Sequence, residues 1–115
     1  MKILFLDDER NPIDVTWICF PEDVEIIVVR SYYEFIEHLN YSGVIYDAWS
    51  LDHDLGCDEW LQPHPTGYDA LKAAIRWHEH LLPKKVIAHS KNPIGAENIN
   101  KYWENYVSNR DRRAL

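Results

Sequence analysis

Three short polar clusters hold most of the residues able to do chemistry: Asp7-Asp8-Glu9-Arg10, Asp52-His53-Asp54 and His89-Ser90-Lys91-Asn92. Each follows directly on an apolar run. Carboxylates gathered at one site repel each other and raise one another's pKa unless a cation balances them. Their hard oxygens favour Mg²⁺, Mn²⁺ or Ca²⁺. Mg²⁺ takes one or two carboxylates, keeps several waters and contacts substrate phosphate oxygens. Asp7, Asp8, Asp52 and Asp54 are therefore expected to bind a divalent metal, Mg²⁺ first and Mn²⁺ as the alternative. Taken singly, Asp8 or Asp54 could instead cap a helix or sit solvated at a strand end.

The neighbours of these acids suggest what a metal there would serve. His53 lies between two carboxylates, which would orient it and favour its protonated form. His89 stands beside Ser90 at the end of an apolar run. Either histidine could do acid–base work on a phosphate ester, ligate a transition metal with Asp52 or Asp54, or be structural. Ser90 lies in no Gly-x-Ser-x-Gly turn, so a hydroxyl donating to a phosphate oxygen fits better than a serine nucleophile. Asn92-Pro93-Ile94-Gly95 reads as the turn opening the last helix, where backbone N–H groups suit an anion. Asn92 and Asn98 could add amide donors or serve as turn and cap residues. Arg10 either pairs with the adjacent acids or clamps a phosphate, and Lys91 reads as an ordinary surface lysine, with neutralising a phosphate as the alternative. Trp60 is the tryptophan available to stack on a base; the other four read as packing. His38, His64, His78 and His80 read as structural or solvated.

The elements that must position these clusters alternate in kind. Ile3–Leu6, Val24–Val29, Val44–Leu51 and Val86–Ala88 are apolar and β-branched runs of the sort buried on both faces of a parallel sheet. Ser31 reads as a helix N-cap, with Glu34 completing a capping box, and Tyr32, Phe35, Ile36 and Leu39 follow at helical spacing. A second helix is expected from Gly67 to about Leu82, closed by Pro83. A third is expected from Gly95 to Val107, with a fraying tail from Asn109 to Leu115. Asn11–Asp23 and Gly56–Thr66, each with two prolines, read as loops, the second long enough to be functional. Alternating strands and helices give an α/β fold with a mostly parallel sheet. Such sheets bind ligands beyond the carboxyl ends of their strands, and three of the four expected strands end in the polar clusters.

The chain of 115 residues is one domain's worth, 1–115. Its 46% apolar and 13% aromatic residues argue against disorder. A net charge of −7 supplies no field to attract duplex nucleic acid, although a bound cation could still invert the local field for a phosphorylated substrate. Cys19 and Cys57 have no metal-type spacing and read as reduced thiols. The opening apolar run meets acid too soon for a signal peptide, and no run approaches the ~20 residues of a membrane span. The expectation is a cytoplasmic protein with no membrane contact.

Asp7-Asp8 after the first strand, Asp52 ending the third and Ser90 ending the fourth resemble a response-regulator receiver domain, which is flavodoxin-like. No fifth strand with that family's Lys-Pro pair fits after the last helix, and the first helix is lost. Leu-Asp-Asp-Glu-Arg-Asn-Pro (6–12), Leu-Asp-His-Asp-Leu-Gly (51–56), Thr-Gly-Tyr-Asp-Ala (66–70) and His-Ser-Lys-Asn-Pro-Ile-Gly-Ala-Glu-Asn-Ile (89–99) together resemble an offshoot, the cyclic-phosphate processing receiver-like family. The resemblance implies a receiver-like, four-stranded sheet in the order 2-1-3-4. It implies metal-dependent hydrolysis of a cyclic phosphate on a small nucleotide or an RNA 3′ end, of the kind left by RNA cleavage or repair. Carried over by motif, Asp7, Asp8, Asp52 and Asp54 would form the metal site, and His53, His89, Ser90 and Asn92 would contact or transform the phosphate. Together with the reading of the residues themselves, Asp52, His53, His89 and Ser90 are expected to be catalytic and Arg10, Asn92, Gly95 and Asn98 to bind substrate. Asp52 could be nucleophile or ligand. A phospho-accepting signalling domain and a non-catalytic phosphate-binding module remain as alternatives.

Overall fold

A computed structural model describes residues 1–113. Four strands, β1 (Lys2–Leu6), β2 (Glu25–Val29), β3 (Ala48–Leu51) and β4 (Lys85–Ala88), form one sheet. Every pairing is parallel and the order is β2-β1-β3-β4, as the resemblance implied. β1 is central, with Leu6 opposite both Val29 and Leu51, while Leu51 is opposite Ala88. This register brings the carboxyl ends of β1, β3 and β4 level. β3 is shorter than the run Val44–Leu51, because α1 ends at Gly43 in the left-handed region (φ 62°). The chain returns through irregular backbone until the Asp47 carboxylate accepts the N–H of Lys2 at 2.7 Å.

Three helices, α1 (Tyr32–Ser42), α2 (Gly67–Trp77) and α3 (Pro93–Arg113), pack side by side on one face of the sheet. Phe35, Leu39, Leu71, Ala74, Ile99 and Trp103 meet Leu4, Leu6, Trp49 and Leu51 in a common core. Ser31 caps α1 by accepting the Glu34 N–H, but the expected box is not reciprocal: Glu34 accepts from Arg30 instead. α2 is shorter than expected. Its chain leaves the helix at His78, and a 3₁₀ turn (Glu79–Leu81) drops Leu81 into the core. α3 starts two residues earlier than expected, since Pro93 needs no N–H partner in the first turn and Asn92 Oδ1 accepts the Gly95 N–H. It also continues through Asn109–Arg113, where a frayed tail was expected; Arg110, Arg112 and Arg113 in the last turn complement the helix dipole. Ala114 and Leu115 lie outside the described residues.

The opposite face has no α-helix among the described residues. Between β1 and β2 the chain makes only a 3₁₀ turn (Pro12–Asp14) and then runs across the sheet. Residues 15–23 cover Ile3, Phe5, Ala48 and Ser50, with Phe20 edge-on to Phe5 at 6.3 Å. No helix among the described residues is long and apolar enough to cross a membrane.

Candidate functional site

Asp7 and Asp52 follow directly on β1 and β3, and one ligand atom from each of Asp7, Asp8 and Asp52 lies within 4.8 Å of the others. Asp7 is buried and hydrogen-bonded through both carboxylate oxygens. Its Oδ1 accepts the N–H groups of Glu9 and Arg10, both at 2.9 Å, and its Oδ2 faces His89 Nε2 at 3.0 Å and the Arg10 guanidinium at 3.3 Å. Burial alone would raise its pKa, but the His89 hydrogen bond and those two backbone donors outweigh it and bring the value down to about 2. Asp52 and Asp8 are pushed up, in each case chiefly by burial and further by the charge of Asp7. Arg10, 3.3 Å from Asp7 and 3.7 Å from Asp52, and His89, 3.0 Å from Asp7, are the basic side chains paired with the trio among the described residues. Three clustered carboxylate oxygens form a donor set of the kind that suits a hard dication.

The trio lines a cleft of about 270 Å³ that also includes Arg10, Asp54, Ser90, Lys91 and Asn92. Asp54 lies outside the trio. Its carboxylate accepts from His53 Nδ1 at 2.9 Å and from Asn92 Nδ2 at 3.2 Å, and these contacts, led by the His53 hydrogen bond, lower its pKa. The expected metal quartet is thus a trio plus one acid tied to His53. Ser90 accepts the Asn92 N–H at 3.1 Å.

His89 does not face the cleft. It is 0% exposed, its ring stacks on Phe5 at 4.4 Å, and its Nδ1 lies 2.7 Å from Ser50 Oγ. With Asp7 as an acceptor-only carboxylate, Nε2–H donates to Asp7, while Nδ1 shares a hydrogen bond with the Ser50 hydroxyl. Ser50, His89 and Asp7 have the connectivity of a hydrolase triad, yet Ser50 is 1% exposed, so no substrate reaches it. The chain instead fixes the rotamer and charge of Asp7.

Three further expectations change. The Gly95 N–H is taken by Asn92 and is not free for an anion. A Cβ on Gly95 would meet His53 Cγ at 2.4 Å, so this glycine makes room for the His53 ring. Asn98 is exposed on the outer side of α3 and does not line the cleft. Trp60 sits at the tip of a small turn pinned by the Cys57–Pro63 bridge, and it too lies outside the cleft. Cys19 and Cys57 are free and exposed.

Several supporting residues were not identified from sequence. Trp17 donates its indole N–H to the His89 carbonyl at 2.8 Å, while Arg10 and Lys91 each lie against its ring, at 5.5 and 4.8 Å. Lys91, read as an ordinary surface residue, is thereby held at the cleft. Arg30 donates to the carbonyls of Asp7 and Arg10 and to Asn11 Oδ1, fixing the loop that carries the acids. Asn100 on α3 accepts the Ala88 N–H at 3.2 Å, tying β4 to the helix that follows it. Only Ser50 left a sequence signal, as the lone polar residue within Ala-Trp-Ser-Leu.

Comparison with curated proteins and with solved structures finds no match. A family model does match, over residues 2–105. On that match, which covers nearly all of the fold and every residue of the cleft, the chain belongs to the cyclic-phosphate processing receiver domain family.

Proposed function

We propose that this domain hydrolyses a cyclic phosphate on a small nucleotide or RNA 3′ end, using a divalent cation, Mg²⁺ or Mn²⁺, held by Asp7, Asp8 and Asp52. The observation that carries the reading is the trio itself: three carboxylates within 4.8 Å, opening into a cleft that also holds Arg10, Ser90, Lys91 and Asn92. The cation would polarise a phosphoryl oxygen and make a water more acidic. Arg10 and Lys91 supply positive charge to the phosphate, and the Ser90 hydroxyl and Asn92 amide supply donors. Acid–base work falls to His53, which does not itself line the cleft but is held through Nδ1 by Asp54, which does, because both ring nitrogens of the buried His89 are already engaged. Water adds to phosphorus, one ester P–O bond breaks, and the departing alkoxide takes a proton.

The test is a panel of nucleoside 2′,3′-cyclic phosphates and cyclic dinucleotides, assayed with Mg²⁺ or Mn²⁺ and again with chelator. Metal-dependent opening of a cyclic phosphate, reduced at least about a hundredfold in His53→Ala and lost in Asp52→Asn, is the expected result. Turnover that survives chelation, or none with any probe, would count against it. A regulatory reading draws on the same Asp52, whose carboxylate opens into the cleft beside two other acids and could accept a phosphoryl group. Incubation with acetyl phosphate and intact-mass measurement separates the two, since only the regulatory reading requires a stable added phosphoryl group that Asp52→Asn abolishes.

A further inference from the structure

Beside the acidic cleft lies a second groove of about 450 Å³ that shares Asp8 and Gly56 with it. The two spaces are therefore neighbours with a common wall. Gly56 is needed at that wall: its φ is 82°, and a Cβ there would meet Asp8 Oδ2 at 3.1 Å. Away from the wall the lining changes from carboxylates to rings, with Tyr32 and Tyr33 from the start of α1 and His64-Pro65 from the loop before α2. Tyr33 is 63% exposed although Tyr32 holds it in an edge-on contact at 5.2 Å. His64 is fixed by its backbone, whose N–H donates to the Gly56 carbonyl at 3.0 Å. An uncharged planar ring suits such a surface, since aromatic side chains stack on any base without reading its edges.

We propose that this groove is a nucleobase subsite, with Tyr33 and His64 packing on the base of a mononucleotide whose cyclic phosphate lies in the acidic cleft. The inference rests on the phosphate reading above and adds the nucleoside to it. A mononucleotide fits better than the end of an RNA chain. Beyond Tyr33 and His64 the surface continues past Thr66 to Asp69. A second phosphate there would meet that carboxylate, whose charge the half-exposed Lys72 at 3.6 Å offsets only in part, in a chain of net charge −7.

The test measures binding by calorimetry in Mg²⁺ with four probes: adenosine 2′,3′-cyclic phosphate, base-free glycerol 1,2-cyclic phosphate, adenosine, and a short RNA ending in a 2′,3′-cyclic phosphate. The nucleotide is expected to bind more tightly than the base-free probe, and that preference should fall about tenfold in Tyr33→Ala. His64→Ala should lower it in the same direction. Equal binding of the two probes by the unmodified protein, or a preference unchanged in both variants, overturns the subsite. Tighter binding of the RNA than of the mononucleotide overturns the choice of occupant. If adenosine binds and weakens in Tyr33→Ala while neither cyclic phosphate exceeds its affinity, the subsite stands and the phosphate reading falls.

Discussion

Gly67→Ala is expected to destabilise the domain by at least about 3 kcal/mol, at the upper end of what overpacking a core usually costs. A Cβ at Gly67 would lie 1.9 Å from the Asp52 carbonyl oxygen and 2.9 Å from its carbon. Those atoms are backbone, so no rotamer change relieves the clash. The Gly67 N–H also donates to the His53 carbonyl at 2.9 Å, locking the first turn of α2 onto the segment that carries the site. Accommodating a methyl group must either push α2 off the sheet or move Asp52 away from Asp7 and Asp8. Thermal unfolding should fall by ~10 °C or more. Gly43→Ala is the matched control: nothing lies within 4 Å of its Cβ, so only the strain of φ 62° remains, about 1 kcal/mol. Equal losses in the two variants would contradict this account of the close approach.

His89→Ala is expected to cost at least about 3 kcal/mol, as breaking a buried pair on one side does. The substitution leaves Asp7 Oδ2 and the Ser50 hydroxyl without their ring partner and opens a cavity beneath Phe5. His89→Gln keeps one donor and should recover part of the loss. The variant should also change the acid limb of stability. Because the Asp7 pKa is lowered from 3.8 to about 2, its ionisation contributes ~2 kcal/mol. That contribution is complete above the unfolded value and is lost as pH falls through the folded one. Without His89 the principal lowering contact is gone, so acid unfolding followed by circular dichroism should begin at higher pH. An unchanged acid limb and a loss below 1 kcal/mol would contradict the positioning role.

The sheet was legible because its strands are short apolar runs, and three of them stop at polar clusters. Asp7, Asp52 and Ser90 could therefore be assigned to one edge before any coordinates. The direction in which each side chain points was harder to read. His89 follows a strand just as Asp7 and Asp52 do, but the segment 15–23 closes over that face and buries it. Nothing in the spacing of Trp17 or Arg30 foretells that one would hold the His89 carbonyl and the other the acidic loop. Both contacts join segments far apart in sequence. Gly95 illustrates the same limit: a glycine at a helix start suits an anion, but here the space it leaves is filled by His53.

Thermal unfolding with and without Mn²⁺, on the unmodified protein and on Asp52→Asn, tests the central claim most directly. Burial and the neighbouring charge of Asp7 raise the Asp52 pKa, so its charge opposes folding above that pKa and the opposition fades as pH falls through it. Asp52→Asn should therefore unfold at a higher temperature than the unmodified protein in chelator at neutral pH. Mn²⁺ at about a hundred times its dissociation constant should stabilise the unmodified protein by ~2.7 kcal/mol and leave Asp52→Asn nearly unmoved. A transition that Mn²⁺ does not shift, or that it shifts equally in both proteins, would contradict a metal site built on Asp7, Asp8 and Asp52.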